Sequence, residues 1–300
     1  MPTSSRSHRA SASSATHHWT ADLSGFDGGA FSYNTRMRWY FDYFRRLLGT
    51  AFSFFVFGIG GLVYGLVVFP LMFVFVRNRE SRRYVARRLI GWGFGGFVGL
   101  MRGVRVMDVR IEGGEHIDDE RRQLIIANHP TLIDVVILIS LFPQANCVIK
   151  EAVTKNPFMR TTVKAADYIS NSEPGEFLDA CVDYLSNGKS LMLFPEGTRT
   201  RRDKPIDFRP GAATVAARTG VDILPIAIDC HPPVLSKQMP WHFVPRTKPI
   251  FTIRVLAPRP ISELAPLEDD ERHYRQELNE ALLALINNAL RDMAFSRQSH

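Results

Sequence analysis

The sequence predicts an α/β fold, in which a central mixed sheet is covered by helices and preceded by an N-terminal membrane-embedded helical segment. Two observations indicate this architecture. An uncharged stretch runs from Leu47 to Val76, and after Met101 short apolar segments alternate with segments of helical periodicity. Such alternation favours a largely buried sheet with helices on its faces.

The size and composition of the chain suit one catalytic domain with appended segments, at 300 residues and a formal net charge of +7. Its three cysteines, Cys147, Cys181 and Cys230, are too scattered for a disulfide framework or a Cys-x-x-Cys metal site. They are predicted to be buried small residues in a reducing compartment. The positive charge suits an acidic carrier protein or an anionic membrane equally well.

The N-terminal residues 1–35 differ from the rest of the chain. They are rich in Ser, Ala, His and Gly and lack the periodic apolar positions that a core requires. This composition predicts a disordered tail. No apolar segment follows the early arginines, so the tail does not resemble a secretory signal.

Residues 36–103 are predicted to form a membrane-anchoring region. No charge interrupts Leu47 to Val76, whereas an amphipathic soluble helix would show a polar face. A bilayer core requires about 20 apolar residues in a helix. Pro70 and several glycines permit a kink, so residues 47–76 are expected to be either a tilted transmembrane helix or a re-entrant segment. Removal of residues 1–103 is expected to release a soluble but less active domain.

The arginines that flank this stretch predict its orientation. The downstream side, from Arg77 to Arg88, is the more basic, which places the remainder of the chain in the cytoplasm. We therefore expect the cell inner (cytoplasmic) membrane, with the catalytic domain facing the cytoplasm. A second uncharged stretch, 89–101, is too short to cross and is expected to lie at the interface, because its five glycines argue against a core helix.

Residues 104–300 are predicted to form the catalytic domain, in which strands and helices alternate. Residues 151–166 are polar and partly helical. Strands are expected at 104–113, 123–128, 145–150, 167–170, 190–197 (running into a loop), 222–230 and 249–258. Helices are expected at 130–142 (starting at Pro130), 173–189, 210–220 and 267–293.

The stretch "ANHPTLIDVVIL" places a histidine and an aspartate at a polar junction between apolar segments. Within one helix, His129 and Asp134 would lie about 140° apart and could not meet. Because His129 precedes Pro130, it is biased toward an extended conformation outside the helix, from which its side chain can reach Asp134 one turn inside. The pair suits a general base acting on a substrate hydroxyl. Spacing alone leaves a capping or core-edge histidine equally open.

A second polar stretch, "FPEGTRTRRDKPIDFRPG", follows an apolar strand. Arginines at the exit of a strand offer forked donors that suit phosphate, although a charge run is usually a solvated surface. Gly197 allows the backbone to approach a ligand closely. The candidate binding residues here are Glu196, Gly197, Thr198, Arg199 and Arg201.

The two stretches together resemble the glycerolipid acyltransferase family, the 1-acylglycerol-3-phosphate acyltransferases and their relatives. "NHPTLID" resembles the H-x-x-x-x-D block of that family, and "FPEGTRTR" resembles its F-P-E-G-T-R block. "KEAVTKNPF", which starts at Lys150, and "DILPIAI" resemble weaker blocks. The similarity covers roughly residues 104–258.

This resemblance implies an acyltransferase that moves an acyl chain from a CoA or acyl-carrier-protein thioester to a lysolipid hydroxyl, with 1-acylglycerol-3-phosphate as the expected acceptor. His129 would be the base and Asp134 its partner, while Glu196, Gly197, Thr198, Arg199, Arg201 and Lys150 would bind substrate. The implied role is in phospholipid biosynthesis, with membrane lipids and the acyl donor as partners. Neither a metal, a cofactor nor a nucleic acid partner is expected.

One departure from the pattern of the family bears on the acceptor. Pro130 and Leu132 stand where better-known members more often carry a small or polar residue and an aromatic residue. Other hydroxylated acceptors therefore stay open, such as an ornithine or glycine lipid or an aryl-polyene lipid. A non-enzymatic alternative is a catalytically silent, lipid-binding membrane scaffold.

Overall fold

A computed structural model describes residues 33–151, 157–171, 174–201, 203–237, 239–266 and 270–298 of the chain. The predicted N-terminal tail lies outside these ranges except for residues 33–35. Those residues belong to the first helix, so the described helix begins before the predicted end of the tail.

Two long antiparallel helical segments form the N-terminal region. The first is α1 (Tyr33–Val63), which continues through a π-helical turn (Tyr64–Val68) into α2 (Phe69–Phe75). The second is α3 (Arg79–Gly103), which begins at an Asn78 side chain that caps its first backbone N–H groups. These segments form a helical hairpin.

The helical hairpin packs on the sheet and its helices along α3. Ile90, Phe97 and Met101 are buried in the same core as the sheet. The five glycines of residues 89–101 do not exclude a core helix, contrary to the prediction. At Gly91, a Cβ atom would lie 2.7 Å from Pro143 Cβ, so glycine is what permits the close approach. Trp92 on the other side of the helix is exposed.

After the helical hairpin, the described residues form seven strands and five further α-helices. The strands are β1 (Asp108–Glu112), β2 (Leu124–Ala127), β3 (Asn146–Lys150), β4 (Ile169–Asn171), β5 (Leu191–Leu193), β6 (Ile223–His231) and β7 (Ile250–Val255). The helices are α4 (Asp134–Leu141), α5 (Pro157–Ala166), α6 (Pro174–Ser186), α7 (Gly211–Thr219) and α8 (Glu271–Gln298).

The strands form one mixed sheet in the order β1-β7-β6-β2-β5-β3-β4. From β6 to β4 neighbouring strands are parallel, whereas β7 runs antiparallel to β6 and parallel to β1. The predicted α/β class with a mixed sheet is confirmed. The parallel arrangement places the carboxyl ends of β2 and β5 side by side.

Helices cover both faces of the sheet and produce two apolar cores. In β2, Ile125 and Ala127 face the core shared with α3 and α4, whereas Leu124 and Ile126 face the core shared with α6, α7 and α8. Period-two alternation with apolar residues on both faces is typical of a parallel strand that is buried on both sides.

The helix predicted from Pro130 begins at Asp134 instead. Residues 131–133 find partners for their N–H groups outside a helix. The N–H of Thr131 donates to the Asp134 carboxylate, that of Leu132 to the Leu235 carbonyl, and that of Ile133 to the Thr131 hydroxyl. Side-chain and tertiary acceptors thus replace the first helical turn, which the proline pattern alone did not reveal.

Candidate active site

The two polar motifs meet at the carboxyl ends of adjacent parallel strands. His129 follows β2 and Glu196 follows β5. The crevice at the carboxyl ends of the strands is where open α/β sheets bind ligands. The topology therefore brings together residues that are separated by more than sixty positions in the chain.

The His129 ring and the Asp134 carboxylate are in direct contact. His129 Nδ1 lies 3.1 Å from Asp134 Oδ2. The aspartate side chain is fully buried, whereas 16% of the histidine side chain is exposed. The predicted contact is present, although Asp134 is the first residue of α4 and not one turn inside it. A buried carboxylate behind a partly exposed imidazole leaves the Nε2 edge for a substrate.

Thr131 holds the Asp134 carboxylate in place. The Thr131 N–H donates to Oδ2 at 2.6 Å, and its hydroxyl donates to Oδ1 at 2.6 Å. With the imidazole, the carboxylate thus has three partners, as a buried charge requires. Sequence reasoning missed Thr131. The T-x-x-D spacing at 131–134, a variant of the capping box, could have indicated it.

Glu196 binds the backbone of His129 and not its ring. Its Oε1 accepts from the His129 N–H at 2.8 Å and from the Thr200 hydroxyl at 2.8 Å. The Thr200 N–H in turn donates to the His129 carbonyl at 2.7 Å. The second motif therefore fixes the backbone of the first from both sides. Thr200 also escaped sequence reasoning, although it lies between the predicted residues Arg199 and Arg201.

The Glu196 carboxyl is buried beneath the turn. Burial raises its pKa above the ordinary value, and the negative charge of Asp134 acts in the same direction. The hydrogen bonds from His129 and Thr200 oppose this rise. Glu196 is thus a titratable group whose protonation state is set mainly by desolvation.

Gly197 and Thr198 form the turn above Glu196. Gly197 has a φ of 63°, in the left-handed region that favours glycine. A Cβ atom there would also lie 3.2 Å from Arg209 Nε. Both constraints indicate why glycine occupies this position. Thr198 is half-buried in the same turn.

Arg199 reaches across to the loop that follows β6. Its Nη1 donates to the Leu235 carbonyl at 3.1 Å and to the Ser236 carbonyl at 3.4 Å. Within the described ranges these contacts involve Nη1 of the guanidinium group. The Leu235 carbonyl also accepts from the Leu132 N–H, which links the loop to both motifs.

Within the described residues, two of the predicted binding residues make no hydrogen bond or ion pair with His129 or Asp134. Arg201 is exposed and donates from Nε and Nη2 to the Asp203 carboxylate two residues later. Lys150 is exposed at the end of β3, and β5 separates that strand from β2. Their proposed contact with substrate rests on the sequence resemblance alone.

Asn128 and Phe194 shape the site without having been predicted. The Asn128 side chain exchanges hydrogen bonds of 2.8 and 2.7 Å with the carbonyl and N–H of Ile228 in β6. It thereby extends the pairing of β2 one residue beyond the strand. The Phe194 ring lies 4.6 Å, centroid to centroid, from the His129 ring. Asn128 thus holds the backbone that precedes His129, and Phe194 packs against the histidine ring.

The three cysteines lie buried in the cores. Burial raises the pKa of each thiol, at Cys147, Cys181 and Cys230, to about 12. Such thiols stay protonated and are poor nucleophiles. These three cysteines therefore do not supply a thiolate nucleophile at neutral pH.

The comparisons with known proteins concern the region that holds both motifs. Residues 108–229 match the acyltransferase family. A stretch of 126 residues is 29% identical to a chloroplastic 1-acyl-sn-glycerol-3-phosphate acyltransferase of Arabidopsis thaliana, over 40% of this chain and 35% of that protein. A stretch of 170 residues is 24% identical to a 1-acyl-sn-glycerol-3-phosphate acyltransferase of Cocos nucifera, over 54% of this chain and 51% of that protein. These matches span between about a third and a half of the relatives' length.

The fold is also that of a solved structure. The crystal structure of the 1-acyl-sn-glycerophosphate acyltransferase PlsC from Thermotoga maritima superposes with a TM-score of 0.62 at 22% identity, covering 82% of this chain and 96% of that one. At this identity the likeness establishes the fold. The sequence match contains His129, Asp134 and the whole stretch from Glu196 to Arg199. The match to the acyltransferase family therefore covers both polar motifs of this chain.

Proposed function

We propose that this chain is a membrane-bound O-acyltransferase that moves an acyl chain from a CoA or acyl-carrier-protein thioester to the hydroxyl of 1-acylglycerol-3-phosphate. The observation that carries this proposal is the contact between the partly exposed His129 ring and the fully buried Asp134 carboxylate. The names of the relatives support the acceptor class.

In the proposed reaction, Asp134 holds the Nδ1–H tautomer of His129, so that Nε2 accepts the proton of the acceptor hydroxyl. The hydroxyl oxygen bonds to the thioester carbonyl carbon and forms a tetrahedral intermediate. The C–S bond then breaks, and the departing sulfur takes the proton from His129. The products are an ester and a free thiol, and Asp134 stabilises the transient imidazolium.

The nucleophile is assigned to the substrate because the hydroxyls beside the histidine are occupied. The Thr131 and Thr200 hydroxyls both donate to carboxylates, at 2.6 and 2.8 Å. The thiols are buried and protonated. A direct attack without a covalent enzyme intermediate therefore agrees best with the geometry.

The acyl acceptor can be identified with a labelled donor and a panel of lysolipids. We expect the purified full-length protein to acylate 1-acylglycerol-3-phosphate and the His129→Ala variant to be inactive. Transfer to an aminolipid or another hydroxylated lipid instead would favour the alternative acceptors. No transfer to any acceptor, from either thioester donor, would favour a silent lipid-binding scaffold.

Arg199 is the proposed contact for the acceptor phosphate. Arg199→Lys keeps the charge but loses the fork that can hold a carbonyl with one arm and phosphate with the other. We expect the KM for the acceptor to rise much more than the KM for the donor. An unchanged acceptor KM would remove Arg199 from this role and favour an acceptor without phosphate.

The N-terminal helical hairpin is the proposed membrane contact. One helical segment, Met37–Phe75 with 39 residues, is long and apolar enough to cross a membrane by length and composition. One of its faces is covered with exposed large apolar side chains, which include Phe41, Phe44, Leu48, Phe52, Phe55, Ile59, Leu62 and Leu66. Their spacing of three and four residues makes one continuous stripe.

The opposite face of this segment packs on the protein along most of its length. Arg45 donates to the Val104 carbonyl, Phe57 contacts Phe97, and the Tyr64 hydroxyl donates to the Leu89 carbonyl. At about 58 Å the segment is also far longer than a hydrocarbon core of about 30 Å. A helix attached in this way favours the re-entrant or in-plane alternative over a perpendicular span. The proposed location is the inner (cytoplasmic) membrane, with the domain on the cytoplasmic side.

A further inference from the structure

We propose that Thr131 is a positioning residue that keeps the His129 imidazole neutral by taking up part of the negative charge of Asp134. This role rests on the acyl transfer proposed above, because only a base that starts without a proton can accept the proton of a hydroxyl. Thr131 would thus decide at which pH the pair is ready to act.

A buried carboxylate beside an imidazole favours the charged form of the ring. The Asp134 side chain is fully buried, and its Oδ2 lies 3.1 Å from His129 Nδ1. A negative charge at this distance stabilises the imidazolium. If the ring were its only partner, the carboxylate would draw a proton onto His129, and the resting ring could not accept another.

Thr131 gives the carboxylate two further partners. Its N–H donates to Oδ2 at 2.6 Å, and its hydroxyl donates to Oδ1 at 2.6 Å. Among the described residues, the Thr131 hydroxyl is the only hydrogen-bond donor to Oδ1. Donors of this kind stabilise the charge of a carboxylate without help from the imidazole. The Asp134 charge is therefore compatible with a neutral ring.

The other titratable groups that face the pair do not settle its protonation. The negative charge of Glu196, after β5, favours the imidazolium, but burial raises the pKa of this carboxyl and so lowers the charge that it carries. Burial raises the pKa of the Cys230 thiol, in β6, to about 12, so it is uncharged. Arg199 has the opposite sign and is bound to the loop after β6.

The surroundings of the ring oppose its charged form. The Phe194 ring lies 4.6 Å from the imidazole, centroid to centroid, and only 16% of the His129 side chain is exposed. Poor hydration disfavours the imidazolium, whereas Asp134 favours it. Where two effects oppose each other in this way, one hydrogen bond to the carboxylate can decide the outcome.

NMR of the histidine rings tests this role without any substrate. In full-length protein with ¹³C-labelled histidine, the signal that is absent from His129→Ala reports the protonation of this ring. In Thr131→Val, which loses the hydroxyl and keeps the N–H, we expect half-protonation of His129 at a pH that is higher by about 0.5 to 1 unit. Thr131→Ser keeps the hydroxyl and should titrate like the wild type. An unmoved or lowered midpoint in Thr131→Val would overturn the inference.

Two further variants guard against a loss of folding. Thr131→Val also deprives the Ile133 N–H of its acceptor. Thr131→Cys has a thiol, which is a weaker donor, and should move the midpoint in the same direction by a smaller amount. Thr219→Val, which removes a hydroxyl bonded to a backbone carbonyl of α7, is the matched control and should not move it. In the wild type, a His129 ring that is mostly protonated at about pH 7.5 would overturn the inference whatever the variants do.

Acyl-transfer kinetics give a second readout. We expect the rise of kcat with pH to move upward in Thr131→Val by the same amount, and kcat to return toward the wild-type value at high pH, where His129 is unprotonated in both proteins. A kcat lowered by one factor at every pH would overturn the inference and leave Thr131 a purely structural role. A shifted NMR midpoint without transfer to any acceptor would support the role of Thr131 and overturn the proposed function instead.

Discussion

At the scale of single residues, the candidate site consists of one imidazole and the groups that hold it in position. Asp134 contacts the ring, Thr131 holds Asp134, and Glu196 holds the His129 backbone. Each partner is itself buried or hydrogen-bonded. Removing the ring leaves Asp134 with its two hydrogen bonds from Thr131, whereas removing a support leaves buried donors without acceptors. Loss of a support should therefore affect stability more than loss of the ring.

His129→Ala and Asp134→Asn separate these two effects. General-base assistance contributes about 10² to 10⁴ in rate, so we expect His129→Ala to lose at least that factor in kcat with little change in melting temperature. Asp134→Asn should lose activity and also stability, because Thr131 donates to both carboxylate oxygens. Steady-state kinetics and thermal unfolding of each variant measure this. A folded His129→Ala protein with normal kcat would return the histidine to a structural role.

The raised pKa of Glu196 predicts that the stability of the protein depends on pH. Burial raises its folded-state pKa above the unfolded value, so the folded state holds its proton to higher pH. Its contribution to the free energy of unfolding should therefore fall as the pH rises from the ordinary carboxyl pKa to the raised one, and stay constant above. Glu196→Gln removes this titration and keeps an acceptor oxygen for His129.

Urea unfolding over a pH series measures the effect. The difference in free energy of unfolding between wild type and Glu196→Gln should change over the pH range between the ordinary carboxyl pKa and the raised one. Glu120→Gln, at an exposed position, is the control and should follow the wild type. Parallel profiles of wild type and Glu196→Gln would show that Glu196 does not titrate as its burial indicates.

At the scale of elements, the close packing of α3 on the end of α4 depends on a missing side chain. A Cβ atom at Gly91 would lie 2.7 Å from Pro143 Cβ and 3.3 Å from the Ile139 carbonyl oxygen, neither of which is a flexible side-chain end. A Cβ atom at Gly99, in the same helix, would meet nothing within 4 Å. Close packing therefore requires a glycine at position 91, whereas position 99 has room for a larger side chain.

Alanine substitutions distinguish them. We expect Gly91→Ala to lower the free energy of unfolding by about 1–3 kcal/mol, through overpacking of α3 against Pro143. Gly99→Ala should raise it by up to about 1 kcal/mol, because alanine favours the helix. Denaturant unfolding of the two variants in the same detergent measures both changes. Equal effects would show that α3 does not pack on α4 as described.

At the scale of the whole molecule, the helical hairpin and the sheet share one core. Ile90, Phe97 and Met101 of α3 are buried in the cluster that contains Ile125 and Ile226 of the sheet. The sequence alone suggested a detachable anchor followed by an independent domain. The packing of α3 contradicts that expectation, because its removal would expose one face of the sheet.

Deletion of residues 1–103 should therefore give an aggregated product, and not the soluble, less active domain expected from the sequence. The full-length protein should stay with membranes through a high-salt wash, since apolar contact is not screened by salt. Centrifugation after each treatment checks both outcomes. A monomeric, cooperatively folding deletion product would show that the sheet does not require α3.

The sequence by itself determined the α/β class, the strand positions to within a few residues, the apolar N-terminal stretch and the pairing of His129 with Asp134. Each of these follows from local periodicity, composition or short-range spacing, which a linear pattern contains. The helix expected at 210–220 also ends as the sequence indicates, at Gly220 with a φ of 60°. Local conformational preference is enough for such a position.

Only the tertiary structure decided the contacts between distant segments. Glu196 binds the backbone of His129, Arg199 binds the loop after β6, and α3 enters the core of the sheet. It also decided that α4 begins at Asp134, because Thr131 and Leu132 find acceptors outside the helix. The physical reason is common to all of these. Each N–H group could have bonded to several nearby acceptors, and each apolar surface could have packed in several ways. The actual partner lies far away in the chain, at a place that is set by the order and direction of the strands.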